Sequence, residues 1–234
     1  MDEVTIRQGE LPQPPSATVA ERGRFIVLTY QHLLGAIVLF VALELVYFGT
    51  GFAESLADAL LSVNWLLVLG GFIIVSWFAR SLAANAGSVS TQYAGLVGYV
   101  VAESIIFVPL LYIAESVAPG AIRTAATITI LGVVGLTAIA FWSGADFSVL
   151  RGLLAWAGVL ALIAIVAAVL FGLELGTWFS LAMIGLAGGA ILYDTSAILR
   201  TYPTDRYVGA SLELFASVAL LFWYVLRLVL SWRD

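Results

Sequence analysis

The chain has 234 residues, of which 62% are hydrophobic and only 11% are charged. A soluble domain of this size needs more charge to cover its surface, so the composition predicts a polytopic membrane protein. The formal net charge of -5 argues against nucleic acid as a partner. The absence of cysteine excludes disulfides, thiolate metal sites and a cysteine nucleophile.

The N-terminal segment, residues 1–24, is polar and carries Pro12, Pro14 and Pro15. It lacks an apolar core, so it does not resemble a cleaved signal peptide, and we expect a short disordered tail. Residues 25–234 are predicted to form one seven-helix transmembrane domain.

Seven apolar runs follow the tail, and each has the length of about 20 residues that a bilayer-spanning helix needs. They lie near residues 26–50, 60–83, 92–114, 124–143, 151–173, 177–199 and 207–231. These spans leave no room for a soluble catalytic domain, and the sequence has no Walker loop, HExxH or GxSxG motif. We therefore expect neither enzymatic activity, nor catalytic residues, nor a resident cofactor.

The arginines divide unequally between the two ends of these spans. One side holds Arg7, Arg22, Arg24, Arg80, Arg151, Arg200 and Arg206, and the other holds Arg123, Arg227 and Arg233. Because cytoplasmic segments of membrane proteins are enriched in basic residues, this division predicts a cytoplasmic N-terminus and, with seven spans, an external C-terminus.

Four carboxylates lie within the predicted spans: Glu44, Glu103, Asp194 and Glu213. A charge at the bilayer centre costs roughly 3 kcal/mol on insertion scales, so such groups usually face the protein interior or water. Asp194 and Glu213 flank the polar hinge RTYPTDR, each roughly 10 Å inside the boundary at 1.5 Å per residue. Small residues surround both acids on their helical faces, which predicts that they point into the bundle.

Two neighbouring acids in a low-dielectric site cannot both ionise cheaply, so the pair is expected to hold a proton at low pH or to bind a cation. Hard oxygen ligands suit Ca²⁺, and Asp194 and Glu213 are the candidate metal ligands. Alternatively, each acid only satisfies a buried arginine or hydroxyl group. Arg80, at the end of the second span, is the candidate counter-charge, and we expect it within ion-pair reach of Asp194.

The two remaining acids have weaker functional interpretations. Glu103, in the middle of the third span, is a candidate relay or second cation ligand, or it forms a hydrogen bond to a neighbouring tyrosine or serine. Glu44 lies near the outer end of the first span, where we expect it to be solvated.

Four stretches carry a likeness to one known family. They are RFIVLTYQHLLGA at Arg24–Ala36, QYAGLVGYVVAESIIFVPLLYIA at Gln92–Ala114, DFSVL at Asp146–Leu150, and ILYDT with YVGASLELFASVALLFWYVLR at Ile191–Thr195 and Tyr207–Arg227. Together they resemble the Bax inhibitor-1 family of small polytopic membrane proteins, in a bacterial-type branch. The last of the four is the most specific.

The resemblance implies an all-α fold of seven helices, with the last helix enclosed by the other six. It also implies a pH-sensitive calcium leak in a bacterial plasma (inner) membrane. In the family, an aspartate in the sixth span and one in the seventh form a proton-sensing pair that binds calcium, and an arginine in the second span pairs with them. Asp194 and Arg80 match the first aspartate and the arginine.

The chain departs from this pattern in the seventh span, where the family's aspartate falls on Ser217. Glu213 lies four residues earlier on the same helical face. Either its longer side chain restores the pair with Asp194, or the sensor is lost.

Two functions remain open at this point. One is a pH-modulated calcium leak, with the lipid bilayer, Ca²⁺ and H⁺ as partners. The other is a non-conducting membrane protein that binds and regulates a membrane protease or another membrane complex, as some bacterial relatives are thought to do.

Overall fold

The computed structural model describes residues 18–85 and 87–232. These residues form eight α-helices and one 3₁₀ turn, Phe147–Val149, and contain no strand. The helices are α1 (Val19–Gly49), α2 (Phe52–Leu61), α3 (Trp65–Ala83), α4 (Val89–Val117), α5 (Ala121–Trp142), α6 (Leu150–Phe171), α7 (Thr177–Arg200) and α8 (Tyr207–Ser231).

Seven of these helices, all except α2, are long and apolar enough to span a membrane. This confirms the all-helical, seven-span prediction. A helix is the expected form for such segments because it satisfies every internal backbone polar group where no water is available. Helices that are apolar on all faces also suit a membrane better than a soluble core.

The first helix begins earlier than the boundary expected at residue 24. Thr18 caps it, because its hydroxyl accepts a hydrogen bond from the Glu21 amide while the Glu21 carboxylate accepts one from the Thr18 amide at 2.8 Å. This capping box stabilises a helix start within the polar segment. Residues 19–24 are therefore helical, and the rest of the expected disordered tail, residues 1–17, lies outside the described residues.

The chain between the first two spans also differs from the prediction. The second span was expected near residue 60, but α3 begins at Trp65, where the Asn64 side chain accepts a hydrogen bond from the Leu66 amide at 2.9 Å. The preceding residues form the short helix α2. Two of its alanines, Ala53 and Ala57, are buried against Val108 of α4, whereas its acids are exposed. This amphipathic pattern explains why α2 lies beside the spans and does not cross the membrane with them.

Helix α8 is enclosed by the rest of the bundle, as predicted. It packs most extensively on α7 and also contacts α1, α3, α4 and α5. Helix α6 packs mainly on α7 and reaches α8 where Ala161 joins the small buried cluster around Tyr224. Leu212, Leu214 and Leu226 of α8 are almost completely buried.

The C-terminal end of α3 is wedged between two glycines. A Cβ atom on Gly95 of α4 would lie 2.5 Å from the Ala79 carbonyl oxygen and 2.6 Å from the Ala83 nitrogen. A Cβ atom on Gly209 of α8 would lie 2.6 Å from the Ala83 carbonyl oxygen. Only glycine permits this backbone approach, which is the usual way in which membrane helices pack closely.

We predict that Gly95→Ala destabilises the protein by roughly 1–3 kcal/mol, because the new methyl group must displace backbone atoms of α3. Gly98→Ala, in the same helix, is the matched control, since nothing lies within 4 Å of its Cβ position. Thermal unfolding in detergent should show a lower Tm for the first variant and an unchanged or higher Tm for the control. Equal Tm values for the two variants would contradict the close approach.

Candidate functional site

A cavity of about 260 Å³ lies at the end of the bundle where α7 ends and α8 begins. We call it the acid cavity. Its lining consists of Tyr193, Asp194, Ala197, Ile198, Tyr202, Ala210 and Glu213. The two acids that flank the hinge thus line the same partly open cavity, which agrees with the prediction that both point into the bundle.

Arg80 forms an ion pair with Glu213, the one ion pair found within residues 18–85 and 87–232. The expected pair between Arg80 and Asp194 does not form, although Arg80 lies close enough to Asp194 to interact with it electrostatically. The packing explains the difference. The end of α3 rests on Gly209, one helical turn before Glu213, so the guanidinium reaches the acid on α8.

Asp194 has a neutral partner instead. The Ser217 hydroxyl donates a hydrogen bond to Asp194 Oδ2 at 2.7 Å. Ser217 lies one turn after Glu213 on α8 and is buried. Ser217 therefore contacts Asp194 through a hydroxyl group rather than through a second charge.

Tyr99 connects this site to Glu103. A neighbouring tyrosine was one of the partners expected for Glu103, but the contact of Tyr99 with Arg80 was not predicted. Its ring lies beneath the Arg80 guanidinium, with the guanidinium carbon 5.4 Å from the ring centroid. Tyr99 lies near enough to Arg80 and Glu103 to interact electrostatically with both side chains. Glu103 is 7% exposed, and its Oε2 atom has no hydrogen-bond partner within the described residues. The spacing of four residues between Tyr99 and Glu103 could have indicated the contact, since such residues adjoin on a helix.

The loop between α7 and α8 closes one side of the acid cavity, and two other helices hold it. Arg22 of α1 donates to the Tyr202 carbonyl at 2.6 Å and to the Ile198 carbonyl at 3.3 Å. Gln92 of α4 donates to the Asp205 carbonyl at 3.3 Å. Neither anchoring residue was predicted, because a contact to a distant backbone carbonyl leaves no pattern in the sequence.

The DFSVL turn docks next to the same part of α7. The Ser148 amide donates to Asp146 at 2.9 Å and holds the pKa of that carboxyl below its usual range. The Phe147 amide donates to Ser196 Oγ at 3.1 Å. Arg200 completes the contact by donating to the Gly144 and Ala145 carbonyls at 2.7 and 2.9 Å. The turn thereby supports α7 at Ser196 and Arg200, which follow Asp194 by two and six residues.

Glu44 is not solvated as expected. It is 8% exposed, and neither of its carboxylate oxygens has a hydrogen-bond partner within the described residues. Glu44 lies on α1, a helix of 31 residues that packs against α2, α4 and α8, and this packing buries it. It does not line the acid cavity, so the structure separates it from Asp194 and Glu213.

The oxygen ligands of the acid cavity suit a weakly held cation. Within the described residues, no group of three or more His, Asp or Glu side chains is arranged to hold a metal ion. Ca²⁺ takes roughly 6–8 oxygen ligands, so the carboxylates of Asp194 and Glu213 would supply only part of its shell, and water the rest.

The fold and the site define a seven-helix membrane protein with paired acids beside one arginine inside its spans. A family model described as "Inhibitor of apoptosis-promoting Bax1" matches residues 22–234, nearly the whole chain. The chain belongs to the Bax inhibitor-1 family. A comparison with curated proteins gives no match.

We predict that Glu44→Met stabilises the protein, because it removes a buried acid without a partner and roughly preserves side-chain length. An unsatisfied buried polar group typically costs about 1–3 kcal/mol, and Tm in detergent should rise accordingly. Glu54→Met, at an exposed position of α2, is the control and should change Tm little. A lower Tm for Glu44→Met would show that the acid has a stabilising ligand.

Proposed function

We propose that the protein is a pH-sensitive calcium leak channel in which Asp194, Glu213 and Arg80 control cation entry. The observation that carries this proposal is the acid cavity, which both carboxylates line and where one of them pairs with an arginine. Family membership supports it as well. The proposal involves no chemical catalysis and treats Ca²⁺ as the transported ion rather than a resident cofactor.

Competition at Glu213 gives a physical basis for control. The Arg80 guanidinium occupies the carboxylate that an entering cation would need. Asp194 keeps a hydrogen bond from Ser217, which leaves its other carboxylate oxygen for a cation. Protonation of either acid removes a negative charge and a ligand, so cation binding weakens as pH falls.

Glu103 is the candidate relay beyond this site. The contacts from Arg80 to Tyr99 and from Tyr99 to Glu103 form a continuous polar path away from the acid cavity. We propose that this path carries a change in the charge of the Arg80–Glu213 pair toward the middle of the membrane.

Replacing Arg80 with Ala should raise calcium flux by up to about fivefold, because a half-exposed ion pair contributes at most about 1 kcal/mol. Glu213→Gln and Asp194→Asn should each flatten the pH dependence of flux. Ser217→Ala should shift that dependence toward higher pH, because the Asp194 carboxylate loses the hydrogen bond that favours its charged form. The measurement is calcium flux into proteoliposomes that contain only the purified protein, at several pH values.

Arg24→Ala is the matched control for Arg80→Ala, since Arg24 is an exposed arginine at the start of α1. A pH profile that is the same in Glu213→Gln and in the unmodified protein would exclude Glu213 from the sensor. Complete absence of flux at every pH would instead favour the alternative function, a non-conducting regulator of a membrane protease or other complex.

We propose a bacterial plasma (inner) membrane as the location, with the arginine-rich end in the cytoplasm. Reporter fusions that distinguish cytoplasm from exterior should place the N-terminus inside and the C-terminus outside. Seven of the ten arginines lie on the side of the N-terminus, and only Arg123, Arg227 and Arg233 lie on the opposite side. Fusions that place the N-terminus outside and the C-terminus inside would contradict a cytoplasmic position of the acid cavity.

A further inference from the structure

A second and larger cavity, of about 1120 Å³, lies toward the opposite end of the bundle. We call it the apolar cavity. Its volume exceeds the roughly 300–1,000 Å³ of most small-molecule pockets. Helices α3 and α6 contribute to two of its sides and contact each other only lightly, so the cavity adjoins a gap between two peripheral spans.

The walls of this cavity are chemically suited to hydrocarbon. Apart from Glu103 and Ser180, the lining residues below its mouth are apolar, and they include Trp65, Phe107 and Trp223. Water would find few polar partners there, and a buried water normally needs two to four of them. A flexible acyl chain that enters from the bilayer needs no polar partners.

The mouth of the cavity carries one charge of each sign. Arg227 donates a hydrogen bond to the Leu175 carbonyl at 3.2 Å, and it forms no ion pair with a carboxylate in the part of the chain that the structure describes. Glu174, the residue before Leu175, also lines the cavity and is exposed. A guanidinium suits a phosphate group, and a carboxylate suits an ammonium group.

We propose that the apolar cavity binds one zwitterionic phospholipid of the phosphatidylethanolamine type. Arg227 binds its phosphate, Glu174 binds its ammonium group, and one acyl chain lies between α3 and α6. This site is separate from the acid cavity, and its occupancy does not depend on calcium conduction.

The test is native mass spectrometry of the purified protein, titrated with phosphatidylethanolamine or phosphatidylglycerol of identical acyl chains. One phosphatidylethanolamine should be retained. Arg227→Gln should weaken its retention about tenfold, since loss of a charge-assisted hydrogen bond commonly costs an order of magnitude in affinity. Glu174→Gln should remove the preference for phosphatidylethanolamine over phosphatidylglycerol.

Two further variants test the acyl-chain part without changing a charge. Gly158 lines the cavity and Gly152 does not, although both belong to α6 and neither has an atom within 4 Å of its Cβ position. Gly158→Phe should abolish retention, whereas Gly152→Phe and Arg123→Gln should preserve it. Retention that is unchanged in Gly158→Phe would mean annular lipid only and would overturn the proposal. Equal retention of the two lipids by the unmodified protein would overturn the headgroup assignment.

Discussion

The pairing of Arg80 with Glu213 places a cation and an anion from two different helices inside the bundle, and it depends on how closely three backbones approach. Gly95 and Gly209 admit the end of α3 between α4 and α8. The guanidinium then lies over the Tyr99 ring and against Glu213. Because 39% of the Arg80 side chain and 36% of the Glu213 side chain are exposed, the pair avoids the full desolvation cost of a buried ion pair. The same exposure leaves the Arg80–Glu213 pair open to displacement by an entering cation.

The two acids of the acid cavity have unequal surroundings although they share one space. Glu213 faces a permanent positive charge, whereas Asp194 has the hydroxyl group of Ser217. Acids in different environments do not respond alike to a proton or a cation, and this inequality allows two carboxylates to take separate roles. Glu213, one helical turn before Ser217, places its charge within reach of Arg80.

Hydropathy and the positions of charged residues were enough to predict the seven spans and to expect Asp194 and Glu213 at one level of the bundle, where both line the acid cavity. The enclosed last helix was implied by the family resemblance. These features depend on segment length, on small residues along one helical face and on the short hinge between two spans. The choice of partner for Arg80 could not be predicted in this way. It depends on close backbone approaches at Gly95 and Gly209, where an added Cβ atom would lie 2.5 or 2.6 Å from backbone atoms of α3.

Other features escaped prediction for related reasons. The burial of Glu44 depends on helices that pack around it from distant parts of the sequence. Helix α2 was missed because its ten residues are too few for a span, and its turn-like flanks suggested a connecting segment. The anchoring of the hinge by Arg22 and Gln92 involves backbone carbonyls, which every residue has, so the sequence does not identify the acceptors.

The central position of α8 has a consequence for biosynthesis. Chains are made from the N-terminus, so the helix at the centre of the bundle is the last of the eight to leave the ribosome. The earlier spans must therefore leave a lateral opening until it arrives. Glu213 would enter lipid at a cost of roughly 3 kcal/mol if it had no partner. Arg80, synthesised more than a hundred residues earlier, is already in the membrane to receive it, so the ion pair also provides a late step that secures the final helix.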